Sequence, residues 1–117
     1  MKEDIKIFHN PHCSKSRQTL ELLQANSTQP EIVEYLKNPP GIAELKQILE
    51  FLGLEPRQLM RSKEAEYQEN NLDDQSLSRD QLLQAMVDHP ILIERPIVIR
   101  GKRAVIGRPP EKVLEIL

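Results

Sequence analysis

Cysteine is almost missing from this chain: Cys13 is the single one in 117 residues. One cysteine excludes an internal disulfide. It also argues against a zinc site, because the other ligand candidates are three scattered histidines. An exposed thiol persists best in a reducing compartment, so a cytoplasmic location is expected. Tryptophan is absent and aromatics are limited to Phe8, Tyr35, Phe51 and Tyr67, so the core must be built from Leu, Ile and Val. Neither sign of charge dominates. Sixteen basic and 18 acidic side chains leave a net charge of −2, which gives no pull toward nucleic acid or a membrane surface. No apolar run is long enough to span a bilayer, and no apolar h-region marks a signal peptide. The length fits one domain with one core, and a monomer is the default expectation.

Punctuation residues divide what is present. Ile5–Phe8 reads as a short buried strand that ends before Pro11. Ser14 or a neighbour can cap a helix running to about Ala25, with Leu20, Leu22 and Leu23 as its apolar periodicity. Glu31–Leu36 is weakly strand-like, and Asn38-Pro39-Pro40-Gly41 breaks the chain. Leu45, Ile48, Leu49 and Leu52 recur at helical spacing before the C-cap candidate Gly53. Leu59 and Met60 start a short helical piece reaching Arg61, and Asp73–Ser78 reads as loop. Ser78 and Gln81 form a capping-box pattern ahead of Leu82, Leu83, Met86 and Val87. His89-Pro90 ends that helix. Pro96–Ile99 leads into a hairpin turn at Arg100-Gly101-Lys102, and Arg103–Ile106 returns. Pro109 or Pro110 opens a final helix carrying Val113, Leu114, Ile116 and Leu117. The order is β-α-β, three helical pieces, β-β-α. It predicts an α/β fold: a small mixed sheet flanked by helices, with residues 41–88 as an inserted helical module.

The chemistry concentrates at His9-Asn10-Pro11-His12-Cys13-Ser14-Lys15-Ser16-Arg17. A cysteine between a strand and the first turn of a helix faces unpaired backbone N–H groups, which favour the reactive thiolate. A buried, inert cysteine is the alternative, but Pro11, His12, Ser14 and Lys15 describe a solvent-facing segment. The spacing is C-x-x-S, so an external thiol must resolve any mixed disulfide or sulfenic acid at Cys13. Arg61, Arg95 and Arg108 stand beside a helix end, a proline and a glycine. Each could be a surface charge. If the fold gathers them at Cys13, they make a pocket for a tetrahedral oxyanion. His9 and His12 are close enough in sequence to influence the thiol or to be plain surface histidines.

The motifs His9-Asn10-Pro11-x-Cys13-x-x-Ser16-Arg17-x-Thr19-Leu20, Leu59-Met60-Arg61, His89-Pro90-Ile91-Leu92-Ile93-x-Arg95-Pro96-Ile97-Val98 and Arg108-Pro109 recur in this order across nearly the whole chain. Together they resemble the glutaredoxin-coupled arsenate reductase family, which has a thioredoxin/glutaredoxin-like fold. The resemblance implies Cys13 as the catalytic cysteine and His9 as its assisting histidine. It implies Arg61, Arg95 and Arg108 as oxyanion ligands, with Asn10 and Ser16 structural beside them and Pro96 as the cis-proline of the fold. It further implies that Cys13 attacks arsenate, that glutathione attacks the resulting adduct, and that glutaredoxin supplies the next thiol as arsenite leaves. No metal or bound cofactor is needed, and glutathione is a co-substrate. Well-characterised members have Gly-Thr-Ser after the cysteine, whereas this chain has Ser14-Lys15-Ser16, like an uncharacterised bacterial branch of the family.

Two other functions fit the same residues. A monothiol oxidoreductase acting on glutathionylated proteins or other oxidised thiols is compatible with C-x-x-S. A regulatory protein binding RNA polymerase through a similar fold is compatible with near-neutral charge, although many such regulators carry C-x-x-C.

Overall fold

A computed structural model describes residues 4–26 and 28–117. The chain divides into two compact units, Met1–Asn38 with Arg95–Leu117, and Pro39–Glu94. In chain order the second is interposed between the second and third strands.

The first unit is built on a four-stranded sheet. Its strands are β1 (Ile5–His9), β2 (Glu31–Glu34), β3 (Ile97–Arg100) and β4 (Arg103–Ile106), in the order β2-β1-β3-β4. β1 runs parallel to β2, with Ile7 opposite Ile32, and antiparallel to β3, with Ile7 opposite Val98. β3 and β4 form the expected hairpin, turned at Gly101 with φ 62°. A parallel pair needs a crossover, and α1 (Ser14–Ala25) supplies it. Alternation along β1 sends Ile5 and Ile7 to one face. There they meet Leu20 and Leu23 of α1, Val98, Val105, and Val113 and Ile116 of the last helical segment. The mixed sheet with its flanking helices is the thioredoxin/glutaredoxin-like arrangement expected from the sequence.

Leu23 is fully buried in that cluster. Leu23→Ala is expected to cost about 2–5 kcal/mol in denaturant unfolding, from lost transfer energy plus the cavity left behind. A cost below about 1 kcal/mol would mean that this cluster is not the core of the unit.

The expected last helix is a 3₁₀ segment, Pro110–Ile116. The Lys112 N–H bonds Pro109 O, three residues back, at 3.1 Å. β2 is shorter than the expected Glu31–Leu36, because the N–H groups of Lys37 and Asn38 both turn back onto Glu34 O at 2.9 and 3.0 Å.

The second unit is helical. α2 (Ile42–Leu52) ends at Gly53 with φ 68°, a left-handed cap that suits glycine. α3 (Ala65–Glu69) is short. α4 (Arg79–Asp88) starts at the reciprocal Ser78–Gln81 capping box. Leu45, Ile48 and Leu49 of α2 and Leu82, Leu83 and Met86 of α4 are buried, and the two helices pack together. The expected helical piece through Leu59, Met60 and Arg61 is a 3₁₀ turn over Pro56–Leu59 that stops before Met60. Met60 is extended and bridges Ile93. The Arg61 N–H bonds Leu92 O at 2.7 Å, and the Glu94 N–H bonds Leu59 O at 2.8 Å. Bonding to residues 92–94 outcompetes helix propagation there. Among the described residues, no helix is long and apolar enough to cross a membrane.

Candidate active site

β1 delivers the chain to a short loop that Asn10 organises. The buried Asn10 accepts the His12 N–H on Oδ1 at 2.9 Å and the Cys13 N–H on its backbone oxygen at 3.0 Å. Its own N–H donates to Ser16 Oγ at 3.0 Å. The guanidinium of Arg17 closes the loop from outside, Nη1 donating to Pro11 O at 3.0 Å. Cys13 itself, and not Ser14, is the N-cap of α1, with extended φ −98° and ψ 122°. That position leaves a half-buried thiol at the positive end of the helix.

Opposing forces act on this thiol. Burial alone would raise its pKa. The Ser16 N–H, the Arg95 side chain, the Lys15 N–H and the Arg95 charge outweigh burial together and hold the thiol below its ordinary value. Arg108 adds a direct contact, with Nη2 3.7 Å from Sγ. Arg108 Nε also donates to Arg95 O at 2.9 Å, so the second arginine is seated on the backbone of the first. Arg95 is 8% exposed, and its peptide bond to Pro96 is cis, as is the bond from Arg108 to Pro109. Two of the three arginines singled out in the sequence therefore meet at the sulfur.

Arg61 belongs to the Pro39–Glu94 unit. Its Nε lies 3.2 Å from Glu64 Oε1 and its Nη1 2.9 Å from Glu94 Oε1. His9 is buried, with Nδ1 2.6 Å from Ser16 Oγ. Burial lowers its pKa, Glu34 opposes that, and Arg17 reinforces it. The net shift favours the uncharged ring. Its hydrogen-bond contact is with Ser16, in the first turn of α1. His12 is exposed.

Sequence reasoning missed Gly107, which packs against Thr19 and Pro96 behind the arginines. The available signal was a glycine immediately before one candidate arginine. Iodoacetamide alkylation of Cys13 should show its inflection at a lower pH than the same thiol in the urea-unfolded protein, because folding favours the thiolate. Coincident inflections would remove the activated cysteine.

The fold and the site define a class: a single-cysteine thioredoxin-like protein whose cysteine sits at a helix N-terminus beside two arginines. The ArsC family model matches residues 8–116, and the chain belongs to that family. It is similar to an uncharacterised protein of Escherichia coli K12, 55% identical over 100% of this chain and 99% of that one. It is also similar to an arsenate reductase of Haemophilus influenzae, 53% identical over 95% of this chain and 97% of the relative. The solved structure of an arsenate reductase from Vibrio cholerae covers 100% of both chains at 51% identity with a TM-score of 0.97.

Proposed function

We propose that this protein reduces arsenate to arsenite using Cys13, glutathione and glutaredoxin. The observation that carries the reading is the pair of guanidiniums, Arg95 and Arg108, acting on one thiolate. A thiolate alone serves many reactions, but a thiolate beside convergent arginines suits an anionic substrate with several oxygens. The kinship with arsenate reductases supports arsenate as that anion.

In the proposed cycle Cys13 Sγ attacks arsenic. An S–As bond forms, and one arsenate oxygen leaves as water after protonation from solvent. Arg95 and Arg108 offset the charge that builds on the remaining oxygens. A glutathione thiolate then attacks Sγ. The new S–S bond forms as the S–As electron pair passes to arsenic, taking it from the +5 to the +3 state, and arsenite departs. A glutaredoxin thiol takes the glutathione from Cys13 and returns the thiolate. The electrons come from thiols, so the cycle requires neither metal nor resident cofactor. His9, Asn10 and Ser16 hold the loop and the first helical turn. Arg61 enters as a third anion ligand on the family resemblance alone. The reading also takes residues from about 41 to 88 as an insertion in one reductase domain, acting as a monomer in the cytoplasm.

The test is arsenate-dependent oxidation of glutathione with purified protein and glutaredoxin. Turnover that needs all three components supports the reading. Negligible arsenate turnover beside efficient deglutathionylation of a peptide would overturn it in favour of the monothiol oxidoreductase.

A further inference from the structure

We propose that Thr19 and Gly107 are positioning residues that register the Arg95–Arg108 pair against the Cys13 thiolate. Both lie in the same unit as the sulfur, and both are buried. Gly107 directly precedes Arg108, and its N–H donates to Pro96 O at 2.9 Å, so one residue joins the exit of β4 to the segment carrying Arg95. No side chain fits there. A Cβ on Gly107 would stand 2.6 Å from Thr19 Oγ1 and 2.9 Å from Pro96 Cγ. Glycine is required by close approach at this seam.

Thr19 fills the space that the missing Cβ leaves. Its hydroxyl donates to Lys15 O at 2.8 Å and reaches Gly107 O at 3.4 Å. Lys15 belongs to the first turn of α1, whose N–H groups act on the sulfur. Gly107 leads into the guanidinium that touches the sulfur. Thr19 thus stands between the two sources of positive potential at Cys13, its single hydroxyl proton on Lys15 O and its side chain packed against Gly107. Arg108 is also held from the Arg95 segment, because its Nε donates to Arg95 O. Neither Thr19 nor Gly107 touches the thiol in this arrangement; they act through the arginines and the helix turn.

The inference rests on the proposed anion-binding thiolate, and its test uses no arsenate, so its failure is distinguishable from a failure of arsenate reduction. The readout is the rate of Cys13 alkylation by anionic iodoacetate and by neutral iodoacetamide across pH. Thr19→Val keeps the shape and deletes the hydroxyl. At pH 6.5 it should slow iodoacetate by about threefold or more, the effect of raising a thiol pKa by roughly half a unit. Iodoacetamide should slow less, because misaligned guanidiniums no longer attract the anionic reagent. General loosening would instead expose the thiol and speed both reagents. Thr19→Ser retains the hydroxyl and should restore the native ratio to within about twofold. Gly107→Ala should reproduce the Thr19→Val pattern with a larger loss, since backbone must move.

A folded Thr19→Val protein with native rates and a native reagent ratio would overturn the proposal. If that variant does not fold, the native protein decides by NMR. The Thr19 hydroxyl and Arg108 Nε–H protons should exchange slowly with water, and exchange of both at the rate of exposed groups would equally overturn it.

Discussion

Cys13→Ser should abolish arsenate-dependent glutathione oxidation, with a fall on the order of a thousandfold or more to the uncatalysed background. The hydroxyl of serine stays protonated at neutral pH and is a weak nucleophile. More fundamentally, oxygen cannot replace sulfur in the redox step, where an S–S bond forms as arsenic receives two electrons. The anion site should survive the change. Arg95 and Arg108 are untouched, and removing the thiolate removes a negative charge next to the bound anion. Arsenate affinity measured by calorimetry should therefore be equal to or tighter than that of the native protein. Loss of turnover with retained binding would separate chemistry from recognition. Turnover persisting within tenfold of native would mean that another group carries the reaction.

The parts of this molecule legible in the sequence are those where a local rule and the tertiary structure agree. The Ser78–Gln81 box and the Gly53 cap bound their helices as read, because capping is satisfied within a few residues. The strand-cysteine-helix order put a thiol at the N-terminus of α1 for the same reason. Expectation and structure part where distant backbone intervenes. Met60 has a helical neighbourhood in sequence, but Arg61 and Leu59 bond to Leu92 and Glu94, and the chain is pulled straight. The final segment has apolar helical spacing, yet it closes by bonds three residues back, as from the Lys112 N–H to Pro109 O, and stays 3₁₀. At the site, convergence of Arg95 and Arg108 was a question that spacing could not answer, since it depends on β3 and β4 pairing beside β1. The Thr19–Gly107 seam was invisible for a related reason. A close approach between residues 88 apart leaves no local pattern.

Arg95→Ala should weaken arsenate binding by about 10- to 100-fold, the range expected for losing a charge-assisted hydrogen bond of about 1.5–3 kcal/mol. The substitution isolates the guanidinium cleanly, because the Arg95 carbonyl that seats Arg108 Nε belongs to the backbone and remains. A second consequence follows from the thiol. Arg95 lowers the Cys13 pKa through both its hydrogen bond and its charge, against the upward pull of burial. Removing it must raise the pKa toward the ordinary thiol value. The thiolate fraction at neutral pH then falls, and the rate limited by that fraction recovers as pH rises, whereas the binding defect does not. A pH series therefore distinguishes the two effects within one variant. Arg95→Lys should recover part of the thiol shift through its charge and less of the anion affinity, since an ammonium cannot present the planar paired donors of a guanidinium. Unchanged arsenate affinity together with an unchanged alkylation profile in Arg95→Ala would remove Arg95 from the site, and with it the argument that this thiolate is built to meet an oxyanion.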